Sequence, residues 1–350
     1  MNRHLASDRP RVALVIAIGL TTSAAIMATT AFAGAPVFTI TSPSVSVQTT
    51  SVDTMALTFS ATSSSSPAIL HQAWSIQDGE TGATVAEAVF NGGSFSTTVT
   101  LDAEPRGKPY TLYVGGVNAD TYAVESMTIE CTRTLLKVLV LQGYPNERES
   151  SNLPSITGVG IYTFTYETVD INPSNFDGDM RDADILWMAG ASSGVFNDYF
   201  MTAGEQTVLD FVAGGGVCWV SMTDDTPLDG DGDQVGGWMP IDDHPITVIN
   251  EGDVDATPTA AGIASGLFST PNTVDLDDLF LDDFWVNLDA SWTILATRDD
   301  SGEAAVEYLP WGDGVYLHVC MNSWSAAAIS AALPLMENGL TFLTDWINAL

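Results

Sequence analysis

The sequence predicts two folds in series: an all-β sandwich over residues 34–134, then an α/β domain built on a parallel sheet over 135–350. Three observations predict this. The first region is rich in Ser, Thr and Val, in short alternating runs broken by turn residues, the pattern of half-buried strands. The second holds nearly continuous apolar runs, Leu135–Leu141, Ala183–Ala189 and Val217–Met222, as expected of strands buried on both faces. Charge changes at the same boundary. Residues 36–134 carry nine acids and three bases, and residues 135–350 carry 34 acids and four bases.

In chain order, the first 33 residues come as an address. Arg3, His4, Arg9 and Arg11 form a basic start, Val12–Leu20 is apolar, and Ala31-Phe32-Ala33 ends a small-residue stretch. That is the layout of a secretory signal peptide, and Thr21, Thr22 and Ser23 interrupt the run as cleavage rather than anchoring requires. Strands then follow at Val37–Thr39, Ala56–Thr62, Phe95–Leu101, Tyr110–Gly115 and Glu125–Cys131, with Trp74 expected between two sheets. In the second region, Thr202-Ala-Gly-Glu205 is a capping box opening a helix that stops at Gly214–Gly216. Late strands are expected at Thr293–Thr297, Ala304–Tyr308 and Gly314–Cys320, and closing helices around 325–333 and 339–349. Between them, residues 224–313 hold 21 acids and one base, Arg298, which marks an acidic insertion at about 224–290.

Composition narrows function. Net charge is -34 over 350 residues, with two lysines, Lys108 and Lys137. Phosphate contacts need clustered Lys and Arg, so a nucleic-acid role is excluded, and anionic lipid is disfavoured. Hydrophobic content is 45%, which a disordered acidic chain lacks. An acidic coat on a folded protein fits a halophilic or marine setting. The three cysteines, Cys131, Cys218 and Cys320, are too few for a disulfide framework.

Three constellations bear on chemistry. Asp229, Asp231 and Asp233 alternate with glycines, so a tight loop there would turn three oxygens toward one calcium ion. Gln234 and Pro240 depart from the EF-hand pattern, so the alternatives are another kind of calcium loop or a solvated acidic turn. His244 beside Asp243 reads as an acid/base or ligand-binding pair, or as a His-Pro turn. Asp275–Trp285 mixes carboxylates with Leu276, Leu279, Phe280 and Phe284 at helical spacing, which reads as a core-facing helix. No other cofactor is required by any motif present.

Two resemblances add to this. Tyr110–Asp120 followed by Ser126–Glu130 resembles the last two strands of bacterial immunoglobulin-like domains. Residues 135–350 resemble the class I glutamine amidotransferase-like superfamily, in its ThuA-like and β-galactosidase-trimerisation-like branch. The resemblance runs through Lys137–Leu141, Asp184–Met188, the passage Leu209–Cys218 with its glycine triplet, Trp292–Ala296, Gly312–Leu317, and Asn338–Leu343 with Trp346. It implies a flavodoxin-like, doubly wound parallel sheet. Active members carry a nucleophilic cysteine at a strand-to-helix turn; the matching turn here is Thr223-Asp224-Asp225, while Cys218 falls inside the strand. His318 matches the superfamily histidine, Cys320 stands where a glutamate follows it, and the ThuA-like branch points to Asn322 instead.

The expected function is therefore that of a secreted or cell-surface, non-catalytic binding protein directed at carbohydrate or a cell-surface protein. The alternative is an extracellular hydrolase using Thr223, Asp224, Asp225, His318 and Asn322 at the C-terminal sheet edge. N-terminal sequencing of protein recovered from culture medium should read Gly34-Ala35-Pro36; a chain retaining Val12–Leu20 would overturn the signal assignment.

Overall fold

A computed structural model describes residues 34–142, 148–170, 179–189, 205–221, 247–249, 254–281, 284–286, 288–321 and 326–349. The described chain is predominantly β, and it divides into two compact units between Arg133 and Thr134.

The first unit contains β1 (Val37–Ser42), β2 (Val47–Thr50), β3 (Thr54–Ser64), β4 (His71–Asp78), β5 (Thr84–Phe90), β6 (Ser94–Asp102), β7 (Lys108–Val117) and β8 (Tyr122–Arg133). One sheet has the order β1-β3-β6, the other β2-β8-β7-β4-β5. Side chains alternate across each strand, so Trp74 and Ile76 of β4 and Leu112 and Val114 of β7 turn to one side. There they share a core with Phe38, Phe59 and Leu101 of the other sheet. Trp74 stacks on Phe95 of β6, 5.8 Å between ring centres and 7° from parallel. The β7–β8 turn is held by Asn118, whose side-chain oxygen accepts from the backbone N–H groups of Asp120 and Thr121.

The second unit is organised on one large sheet. Its parallel strands are β9 (Leu135–Gln142), β11 (Tyr162–Asp170), β12 (Ile185–Ala189), β13 (Val217–Ser221) and β19 (Gly314–Val319). Short β10 (Gly158–Val159) pairs β11 at one edge. At the other side the sheet turns antiparallel through β18 (Ala304–Trp311), β17 (Thr293–Arg298), β16 (Phe284–Val286), β15 (Ala256–Pro258) and β14 (Thr247–Ile249). The helices are α1 (Arg148–Asn152), α2 (Glu205–Ala213), α3 (Ala260–Ser265) and α4 (Ala326–Ala349). The parallel order β11-β9-β12-β13-β19 places the second strand of the five outside the first, with the third, fourth and fifth following.

Helices cover both faces of these strands. On one face α4 presses Leu335, Met336, Leu340 and Leu343 into a core with Val138, Val140, Trp187, Trp219 and Leu317. On the other, Val208 and Val212 of α2 meet Leu139, Leu186, Met188, Cys218, Val220 and Tyr316. Every residue of β12, β13 and β19 is buried, which explains the nearly continuous apolar runs of β12 and β13. Gly215, at φ +98°, makes the turn from α2 into β13.

Two segments expected to be helical take another form. The closing segment is one helix of 24 residues with Pro334 inside it, not two. A proline there forgoes a hydrogen bond, at about 3 kcal/mol. The apolar stripe from Ile329 to Ile347 continues unbroken past Pro334, and its burial against the sheet offsets that loss. The stretch Asp275–Trp285 is not a helix either. It holds a 3₁₀ turn, Leu276–Asp278, capped by the Asp275 carboxylate, and its end, Phe284 and Trp285, lies in β16. Leu276, Leu279 and Phe284 are core residues, but Phe280 is exposed. Aspartates are weak helix formers, and strand pairing recruits the end of the segment instead. The capping-box residues Thr202, Ala203 and Gly204 lie outside the described residues.

Among the described residues, no helix is long and apolar enough to cross a membrane. Gly339 of α4 lies against Trp219, and a methyl group there would fall inside the contact distance of the indole ring. Gly339→Ala should therefore destabilise the protein by about 2 kcal/mol through overpacking, read as a lower urea midpoint with an unchanged slope.

Candidate functional site

Of the residues proposed from sequence, His318 is described. Thr223, Asp224, Asp225, Asn322, His244, Asp243, Asp229, Asp231 and Asp233 lie outside the described residues. Among the described residues, no group of three or more His, Cys, Asp or Glu side chains is placed to hold a metal ion.

His318 sits near the C-terminal end of β19, between Val220 of β13 and Glu307 of β18 in the sheet register. Its side chain shares a face with Tyr316 and Val220, the face covered by α2. Both His318 and Glu307 are fully buried, and the His318 Nδ1 lies 2.6 Å from the Glu307 Oε1. The Trp285 ring of β16 lies flat on the imidazole, 3.6 Å between centres and 10° from parallel. Trp292 in turn meets Trp285 edge-on at 5.4 Å. Among the described residues, His318 Nε2 and Glu307 Oε2 find no hydrogen-bond partner. Burial holds the Glu307 carboxyl above the usual carboxylate range, and the adjacent imidazole partly offsets this.

This geometry constrains chemistry. A general base must reach a substrate proton directly or through one water. Here the free imidazole nitrogen is enclosed by protein, so in this conformation the pair ties β18 to β19 and carries the Trp285 ring. The thiols are equally enclosed. Cys218 and Cys320 are buried in the core, and burial pushes the Cys218 thiol well above its ordinary value. In the first unit Cys131 is pushed up to about 11, mainly by burial. A thiol held protonated is a poor nucleophile.

A second polar cluster lies at the same end of the parallel strands. Glu149 of α1 is fully buried and accepts from the Trp187 Nε1 at 2.9 Å and from the Ser221 Oγ at 2.5 Å. Ser221 Oγ also lies 3.1 Å from the Met188 carbonyl. Trp187 stacks on Trp219 at 4.2 Å, within the core under α4. Ser221 follows Val220 directly, so it points to the face opposite His318. The two buried carboxylates therefore serve separate faces of the sheet.

Neither carboxylate stands out as a site in the sequence. Glu307 had one signal, a charge inside the apolar strand Ala304–Tyr308, where a buried acid requires a partner. Glu149 sits among the polar residues Asn146–Asn152, and nothing in that run marks it as buried.

No protein-family model and no curated protein matches the chain. Among solved structures, a cold-adapted β-galactosidase from Rahnella sp. R3 aligns with TM-score 0.38 and 12% identity, over 59% of this chain and 31% of that one. PurLQS from Thermotoga maritima aligns at 0.34 and 9% identity, over 60% of this chain and 99% of that one. A β-glucuronidase from Parabacteroides merdae aligns at 0.22 and 9% identity, over 56% and 30%. The chain thus spans about a third of the β-galactosidase it aligns with. Likenesses at this level transfer neither fold nor activity.

A group whose pKa is raised by folding stabilises the fold fully at low pH, and that contribution fades as pH rises through the raised value. Glu307→Gln keeps the shape and removes the charge. The variant should gain on the wild type as pH rises above the ordinary carboxylate range of about 4.3, read by urea unfolding across a pH series. A wild-type-minus-variant difference that stays constant with pH would contradict the burial account.

Proposed function

We propose that the chain is a secreted, non-catalytic binding protein with a degenerate amidotransferase-like domain, preceded by an immunoglobulin-like domain that serves as a structural spacer, with carbohydrate as the ligand class. The observation that carries the non-catalytic part is the enclosure of His318. The histidine that matches the active superfamily members is spent on Glu307 and covered by Trp285. Cys218, the cysteine nearest the expected nucleophile turn, is a core residue in the strand before it.

Geometry supports the domain readings. The second-first-third-fourth-fifth order of parallel strands, with helices on both faces, is the order of flavodoxin-like sheets. In the first unit two facing sheets share one core, and the Tyr110 hydroxyl of the penultimate strand bonds back to the Asp102 backbone. That contact parallels the tyrosine corner of immunoglobulin-like sandwiches. Secretion is supported by the signal-like first 33 residues, and a saline or marine setting by the acidic coat. Asp229, Asp231 and Asp233 supply a calcium loop in this reading.

The test pairs binding with turnover. Purified protein is passed over immobilised polysaccharides and assayed against aryl glycosides, aryl esters and glutamine. Retention on a polysaccharide, with turnover at the buffer rate and a Kd that His318→Gln changes by less than about twofold, is the expected result. A hydrolysis rate that His318→Gln lowers by about a hundredfold or more, the loss expected of a general base, would overturn it.

A further inference from the structure

A cavity of about 220 Å³ opens in the second unit and is lined by neither buried carboxylate. Its place follows from the sheet register. On β11, Thr165 lies beside Lys137 of β9, and Glu167 lies beside Leu139. Leu139 belongs to the core under α2, so Lys137, Thr165 and Glu167 turn to that face. β11 is polar there: Thr163, Thr165 and Glu167 are exposed, while Tyr162 and Phe164 are buried on the other face. Across β9, Asp182 and Ala183 complete the lining where the 3₁₀ turn Asp179–Asp182 leads toward β12. The cavity therefore lies toward the N-terminal ends of these strands, away from the end where Thr223 and Asp224 were expected to act.

Lys137 sets the chemistry. It is one of two lysines in the chain. The other, Lys108, lies 3.9, 3.4 and 3.1 Å from carboxylate oxygens of Asp78, Asp102 and Glu104. Arg133 and Arg298 pair with Asp53 and Asp300. Among the described residues the exposed Lys137 ammonium has no ion-pair partner, although residues 135–350 carry 34 acids against four bases. An ammonium, two carboxylates and the Thr165 hydroxyl thus line one cavity.

That mixture selects by charge. An anion meets two carboxylates and a strongly acidic surface, and a cation meets the ammonium. An uncharged group that both donates and accepts satisfies each of them. A hydroxyl does both at one oxygen, so it can accept from Lys137 and donate to a carboxylate. An amide N–H or carbonyl alone does only one of these. Adjacent hydroxyls on a sugar ring repeat the pattern. The volume is below the roughly 300 Å³ at which drug-sized sites begin, which suits one sugar unit rather than several.

We propose that this cavity is a glycan subsite that takes one uncharged sugar unit of a polysaccharide through adjacent hydroxyls, with Lys137 donating and Glu167 and Asp182 accepting. The subsite rests on the carbohydrate reading above and gives it a location.

Having two lysines makes the test direct. The full chain is acetylated with N-hydroxysuccinimidyl acetate, and the rate at each lysine is followed by peptide mass spectrometry. The probes are the methyl glycosides of glucose, galactose, mannose and xylose, and of the sugar unit of any polysaccharide that retains the chain. At least one should slow Lys137 saturably, by about tenfold at about ten times its Kd, while Lys108 keeps its rate. Glu167→Gln, at an exposed position, should raise that Kd about tenfold, the loss of one hydrogen bond to a charged group. Lys137 slowed by none of the glycosides overturns the subsite. So does equal slowing at Lys108, or protection that Glu167→Gln leaves unchanged. Where the chain is still retained on a polysaccharide, such a result moves the carbohydrate site elsewhere; where retention also fails, both readings fall.

Discussion

Burial of the parallel strands on both faces is the constraint from which the second unit follows. β12, β13 and β19 have α4 on one side and α2 on the other, so each side chain along them enters a core. Any polar group placed there must find its partner inside the protein. Two buried carboxylates from neighbouring elements meet these strands, Glu149 of α1 and Glu307 of β18, and each has recruited donors from them. Glu149 takes the Trp187 indole and the Ser221 hydroxyl; Glu307 takes the His318 imidazole.

These partnerships do structural work that packing alone leaves undone. Trp187 and Trp219 lie opposite one another in the β12–β13 register and stack, and at Gly339 of α4 the Trp219 ring occupies the volume a side chain would take. On the opposite face, Trp285 closes over the imidazole and brings the antiparallel extension to the parallel centre. A histidine used in this way is a cross-brace, which is why its enclosure bears on function.

The acidic coat follows different physics. Carboxylates gather where Asp255, Asp275, Asp278 and Asp299 lie near Asp277, and local desolvation followed by these neighbours holds the Asp277 carboxyl above its usual range. Arg298, the single base of the acidic stretch, pairs with Asp300 and lies over the Phe284 ring. Such a surface repels itself in dilute buffer and is screened by salt.

Strand identity in the centre of each unit was legible because burial leaves a local imprint. Leu135–Leu141 and Val217–Met222 read as two-sided strands from their apolar runs, and Trp74, expected between the sheets of a sandwich, is buried and stacked on Phe95. Helix ends were less legible. The closing segment, expected as helices around 325–333 and 339–349, is one helix that runs through Pro334, and the spacing of Leu276, Leu279, Phe280 and Phe284 suggested a helix where strand pairing prevails. The proposed site was the least legible part. His318 stood out by residue type, but its partner Glu307 lies eleven residues away on the neighbouring strand, and Trp285 arrives from a third. By itself the sequence determined the polarity pattern, the surface charge and which segments must be buried, because these depend on neighbours in the chain. Register between strands decided which polar groups meet and which face they share, because hydrogen-bond geometry between distant segments exists only once the sheet has formed.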